Sequence, residues 1–437
     1  MAGKIKTMID DIIALRSKGN PAIASTMRIK LKLKGIDADK FTATSDDDPA
    51  IITKLDEIYK ELVNNRGNIK DIRTAYSTKM SVSDAVSDIK GQLTDQDPKM
   101  VIYFASPEFD DNEISKQMQN AFNGATVFGC SSSGEIASGR MLNNSVVAMT
   151  FTSNVVEDAK VEVLENLKEG INIKPMLKSF EDHFKTTIDD MDIARYVGII
   201  LIDGLSGAEE KIMDKIGYRV NLTIIGGSAG DDLKFKQTYV YANGKSYKNS
   251  AIVALLKLRN GFDVIKTESF DILDTKFTVT KANEEQREVI EFDGKPAVVA
   301  YSEAIYSKVQ DAHSHFMHHP VGVIIDGKPY VRSPQKMKDN SLVFYCTIPE
   351  GMEVSLLESA NIVRDTDNAI KAKLNELGSI AGMINFHCIL RTLELINNGS
   401  TEEYGEIFSD IPTIGFSTYG EEYLGHINQS STILVFK

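Results

Sequence analysis

The chain has little cysteine: Cys130, Cys346 and Cys388 stand far apart in 437 residues. An odd, scattered set excludes a disulfide framework and fits reduced, buried thiols. No stretch approaches 18 consecutive apolar residues, so no membrane-crossing helix is expected. Met1 to Asn20 lacks a continuous apolar core and a small-residue cleavage pattern. The expectation is no signal peptide and a cytoplasmic location. Positive charge is also short, 49 Lys and Arg against 62 Asp and Glu, a net −13. Such a surface repels phosphate backbones and argues against non-specific nucleic-acid binding. The local exception, Arg28 to Lys34 with four basic residues in seven, reads as a solvated face.

What is present is a phrase that recurs. Gly129-Cys130-Ser131-Ser132-Ser133-Gly134-Glu135 and Gly415-Phe416-Ser417-Thr418-Tyr419-Gly420-Glu421 share the spacing G-x-S-x-x-G-E. Gly226-Gly227-Ser228-Ala229-Gly230-Asp231 is the same phrase one residue shorter, with Asp for Glu. Each follows a short apolar run, as a strand entering a polar turn would. Upstream of the first two copies stand a continuous apolar strand, a loop and an amphipathic helix. From strand to turn the distance is 28 residues in the first copy (101 to 129) and 29 in the second (197 to 226). A looser third copy begins near Ile380. The expected fold is therefore α/β (α+β), built from repeated β-α-β-β units.

Residues 1–96 read as a separate helical extension, with apolar stripes at Met8, Ile9, Ile12 and Ile13 and again from Ile51 to Val63. A turn-rich boundary follows at Leu93 to Pro98. Residues 97–260 and 261–437 read as two further domains. Asp293-Gly294 and Asp326-Gly327 mark hairpin turns within a strand-rich stretch from Phe262 to Val354.

The serine turns are candidate ligand contacts: Ser131, Ser132, Ser133, Gly227, Ser228, Ser417 and Tyr419 for a polar or anionic group, Glu135, Asp231 and Glu421 for an ammonium. The competing reading is that these residues satisfy their own turns. Arg332 and Arg391 offer a planar fork for a carboxylate, unless they pair with the abundant acids. Gly226 to Gly230 also matches the G-x-S-x-G nucleophile elbow, with His319 or His426 downstream, which raises a serine hydrolase using Ser228 as an alternative. Four histidines crowd residues 313–319. No CxxC or HExxH accompanies them, so a structural or hydrolytic zinc site is not indicated.

In these phrases the chain resembles the FIST family, sensory proteins of bacteria and archaea with paired FIST N and FIST C domains. The resemblance rests on Phe104-Ala105-Ser106-Pro107 with the first serine turn, and on Asp203-Gly204-Leu205-Ser206-Gly207 with the second. In the C-terminal part it rests on His319-Pro320-Val321-Gly322, Tyr330-Val331-Arg332-Ser333-Pro334, the third turn and His426-Ile427-Asn428-Gln429. It implies an intracellular, prokaryotic sensor and not an enzyme. Such a sensor would bind a small polar or anionic, amino-acid-like metabolite between two domains. It would signal through a partner such as a histidine kinase, cyclase or chemoreceptor, without nucleic acid or membrane insertion. No cofactor is expected on that reading. Haem-binding relatives imply the alternative of a nitric-oxide sensor, with His318, His319 or His426 as axial ligand.

Overall fold

The computed structural model describes residues 3–17, 21–93 and 97–437. The chain divides into two compact units, Met1–Lys70 and Asp71–Lys437. The first holds α1 (Lys4–Ser17), α2 (Pro21–Leu33) and most of α3 (Pro49–Asp71). Its core gathers Ile5, Ile9, Ile12, Met27, Leu31, Ile36 and Leu55, of which Ile9, Ile12 and Leu55 belong to the stripes that the sequence periodicity predicts. Residues 18–20 and 94–96, including Thr94 to Gln96 of the expected boundary, lie outside the described residues. So do Met1 and Ala2.

The second unit contains one motif three times. Copy one runs β1 (Ile72–Ser77), α4 (Val82–Gln92), β2 (Met100–Ala105), α5 (Asp111–Ala121), β3 (Thr126–Ser131), a hairpin β4 (Glu135–Ala137) and β5 (Arg140–Leu142), then β6 (Val146–Phe151). Copy two repeats it as β7 (Val156–Leu164), α6 (Lys174–Phe184), β8 (Tyr196–Ile202), α7 (Glu209–Gly217), β9 (Thr223–Ser228), hairpin β10 (Val240–Ala242) and β11 (Lys245–Tyr247), and β12 (Ala251–Leu258). Copy three opens with β13 (Phe262–Glu268) and is then interrupted. The insertion holds β14 (Phe270–Asn283), β15 (Glu288–Phe292), β16 (Lys295–Pro296), α8 (Ala297–Ala304), β17 (Val321–Ile325), β18 (Lys328–Arg332), β19 (Pro334–Lys338), β20 (Ser341–Phe344) and β21 (Glu353–Ser359). Copy three resumes with α9 (Ile362–Leu377), β22 (Gly382–Cys388), α10 (Ile389–Asn397), α11 (Thr401–Glu406), β23 (Thr413–Thr418), hairpin β24 (Glu421–Tyr423) and β25 (His426–Ile427), and β26 (Ser430–Phe436).

The three sheets have matching orders, β1-β6-β2-β3, β7-β12-β8-β9 and β13-β26-β22-β23. In each the two strands flanking the helix are parallel. The hairpin that follows each serine turn leaves its own sheet. Hairpin β4–β5 joins β23 of copy three, β10–β11 joins β3 of copy one, and β24–β25 joins β9 of copy two. The exchange closes on itself, so each copy is completed by the next. The inner faces of all three sheets share one core, where the Phe104 and Phe416 rings lie 4.4 Å apart and Phe151 and Phe436 4.7 Å. Helices cover the outer faces. The expected α/β repeat is present.

One stretch read as helical is not. Residues 72–77 form β1, paired antiparallel to β6 at the edge of the first sheet. The helix expected near Ser83 to Leu93 is α4, packed on that sheet. Both Asp-Gly turns connect hairpins, with Asp293, Gly294, Asp326 and Gly327 all at positive φ, as a type I′ turn requires.

Candidate functional site

The first glycine of each serine turn is fixed by strand packing. Gly129, Gly226 and Gly415 sit opposite Tyr103, Ile200 and Asn385 on the neighbouring parallel strand. A Cβ at any of the three would run into that residue's carbonyl oxygen. This close approach lets each strand deliver its turn to the place where the three copies meet.

The three turns meet there and bond pairwise. Ser131 Oγ donates to the Gly230 carbonyl (2.8 Å) and accepts from Tyr239 N (3.0 Å). Ser133 N donates to the Ser417 carbonyl (3.1 Å), and Ser417 N to that of Gly134 (2.8 Å). Ser228 N donates to Gly420 O (2.9 Å), and Tyr419 N to Ser228 O (3.1 Å). Tyr419 Oη accepts from Leu233 N (2.8 Å) and donates to Asp231. Asp231 also accepts from Phe235 N (2.9 Å), Lys236 N (2.6 Å) and Gln237 N (3.0 Å). Ser132 donates to Glu135, which further accepts from Ser145 Oγ at 2.5 Å. Ser131, Ser132, Ser133, Glu135, Ser228, Asp231, Ser417 and Glu421 are all buried, and a Cβ at Gly227 would touch Thr418. The turns thus converge as a packed knot that joins the copies, with many of their polar groups bonded to one another.

Ser228 Oγ donates to Glu422 (3.4 Å), and His426 Nδ1 bonds the same carboxyl oxygen (2.9 Å). Serine and imidazole share an acid and do not bond each other, so the serine–histidine pair that a hydrolase needs is not built. His318 is exposed and His319 half-buried in the turn after a 3₁₀ segment, while His426 is buried. Among the described residues no cluster of His, Cys, Asp and Glu has metal-binding geometry.

Buried polar atoms without a partner point elsewhere. Among the described residues ten side-chain atoms are in this state, and all but Tyr103 Oη belong to copy three or its insertion. Buried polar groups are normally bonded, so this concentration singles out the C-terminal part. Both candidate arginines are in the set, each with Nε unpartnered. Neither has an acid within ion-pairing distance among the described residues, although the Arg391 charge reaches the buried Glu421.

Arg391 is the more buried, 1% exposed, in the first turn of α10. Its Nη1 donates to Ser269 Oγ (3.4 Å) and its Nη2 to Thr366 Oγ1 (3.1 Å). Glu421 feels its charge, but burial pushes that carboxyl up to about 8 and leaves it protonated at neutral pH. A guanidinium stays charged in a protein, and a buried uncompensated charge is costly. One helical turn away between the same helices, α9 and α10, lies a cavity of about 270 Å³. Ile362, Val363, Glu394, Leu395 and Glu403 line it. Ile362 and Val363 precede Thr366 by one turn, and Glu394 and Leu395 follow Arg391 by one turn. Sequence reasoning missed Glu394 and Glu403, which look like ordinary helix-surface acids.

Residues 99–295 match the FIST N domain family, and residues 297–423 match the FIST C domain family. A curated relative is the uncharacterized protein MJ1623 of Methanocaldococcus jannaschii, 26% identical over 272 residues. The alignment covers 57% of this chain and 51% of MJ1623, so the chain spans about half the length of that relative.

Proposed function

The chain belongs to the FIST family, whose domains are sensory domains of signal-transduction proteins, and from that premise we propose that it senses a small amino-acid-like metabolite whose carboxylate is taken by Arg391. The observation that carries this is the buried guanidinium whose Nε is unpartnered and which has no acid within ion-pairing distance among the described residues. A bound carboxylate would supply the missing charge through the planar fork that arginine offers. Glu394 and Glu403 in the adjoining cavity, neither with a basic partner among the described residues, would face the ammonium end. One helical turn is about 5.4 Å, which a short zwitterion spans.

Ligand occupancy would draw α9 and α10 together, since both contribute to the cradle. That is a population shift of packing and needs no covalent chemistry. Output would pass through a partner protein, for which the family's sensory role is the support. Thermal-shift titration of the full chain with a panel of amino acids and organic acids tests the reading. A concentration-dependent rise in melting temperature with one or more carboxylates is expected. A flat response across the panel overturns it.

A further inference from the structure

On the outer face of the third sheet, a chain of hydrogen bonds ends at an imidazole. Ser431 Oγ donates to Asn385 Oδ1 (2.7 Å), and Asn385 Nδ2 donates to Tyr404 Oη (3.2 Å). Of the two groups bonded to Tyr404 Oη, Asn385 Nδ2 can only donate, so the hydroxyl proton is assigned to His387 Nδ1 (3.0 Å). A neutral imidazole that accepts at Nδ1 carries its proton on Nε2. The network therefore assigns a donor to His387 Nε2, and that atom is buried with no acceptor. His387 is the penultimate residue of β22, four residues before Arg391, whose Nε is also a buried donor without an acceptor. Thr267 Oγ1, in the same cross-strand row through Ser431, is unpartnered as well.

We propose that His387 Nε2 and Arg391 Nε together hold one monoanionic carboxylate, with Tyr404 as the positioning residue that keeps the imidazole in its Nε2–H form. The proposal rests on the Arg391 reading above and adds a second ligand contact and a charge rule. Burial, and then the Arg391 charge, hold the His387 imidazole well below its usual range, so it stays neutral at pH 7. The cradle thus brings one positive charge, not two. A carboxylate balances it, whereas a phosphate or sulfate dianion would leave a net negative charge in a dry site.

Equilibrium titration of the full chain with glycine, acetate, inorganic phosphate and sulfate at pH 7.5 tests this, alongside ¹⁵N spectra of the histidine ring. Expected results are binding of glycine or acetate at least tenfold tighter than of phosphate or sulfate, and an Nε2–H tautomer for His387. His387→Leu should weaken the carboxylate roughly 10- to 100-fold, the loss of a charge-assisted hydrogen bond. His387→Gln, which keeps a donor, should recover part of that loss. Tyr404→Phe should shift the ring toward a mixed tautomer, which a purely structural tyrosine would not do. Phosphate binding as tightly as acetate, or an Nδ1–H ring in the wild type, overturns the inference. So does carboxylate binding that Arg391→Met abolishes and His387→Leu leaves unchanged, and in that case the Arg391 reading survives. Absence of binding by either carboxylate overturns both.

Discussion

Replacing Glu135 by glutamine should change the pH dependence of stability more than stability itself. Glu135 is fully buried in the knot of serine turns, and burial pushes its carboxyl from 4.5 up to about 8, against the lowering effect of Ser132 and Ser145. A carboxyl with a raised folded-state pKa stabilises the fold fully below its unfolded pKa, and that contribution is lost as pH rises toward 8. At 1.36 kcal/mol per unit, the loss between pH 5 and 8 is on the order of 4 kcal/mol. Glutamine keeps the shape of the neutral acid and does not ionise. The assay is urea unfolding of wild type and Glu135→Gln at pH 5, 6, 7 and 8, read as the difference between the two proteins. Taking the difference cancels His387 and His426, whose lowered pKa values act with the opposite sign below about pH 6.5. Near pH 5 the two proteins should be similar. By pH 8 the variant should lead by several kcal/mol. A difference that stays constant across this range would refute the claim that the acid is neutral in the folded protein.

Two further outcomes follow from the packing. Gly226→Ala places a methyl group against the Ile200 backbone, so the unfolding free energy by urea titration should fall by about 1–3 kcal/mol or more. A neutral substitution would contradict the close strand approach. Tyr419→Phe removes the hydroxyl that accepts from Leu233 N and donates to Asp231. Asp232, Leu233 and Phe235 all hold positive φ, a costly conformation for such residues. Hydrogen exchange across residues 231–237 should therefore rise severalfold in this variant, with little change in the outer helices.

The repeat was legible because its cause is local. A glycine is required wherever two parallel strands approach so closely, and the turn serines follow it at fixed spacing. The Asp-Gly hairpins were legible from their turn chemistry. Strand β1 was not, because an edge strand pairs on one side only and Ile72-Arg73-Thr74-Ala75-Tyr76-Ser77 has a weak pattern. The hairpin exchange was hidden for a different reason. Three-residue strands carry no periodic signal, and their partners lie in another copy. The serine turns drew attention as a ligand site, yet many of their polar groups are consumed in joining the copies. Arg391 was named from its chemistry, but its lack of an acid partner is a property of the fold. His387 offered a signal that went unread: a histidine within the apolar strand Gly382–Cys388, where a buried polar residue calls for an explanation.

The account turns on Arg391, and isothermal titration of wild type and Arg391→Met with the tightest carboxylate from the thermal-shift panel tests it most directly. The wild type should bind with a defined stoichiometry. The variant should bind at least a hundredfold more weakly while melting at the same or a higher temperature without ligand, because a buried uncompensated charge has been removed. Equal affinity in the two proteins, or a large loss of unliganded stability in Arg391→Met, would contradict the claim that this guanidinium waits for an anion.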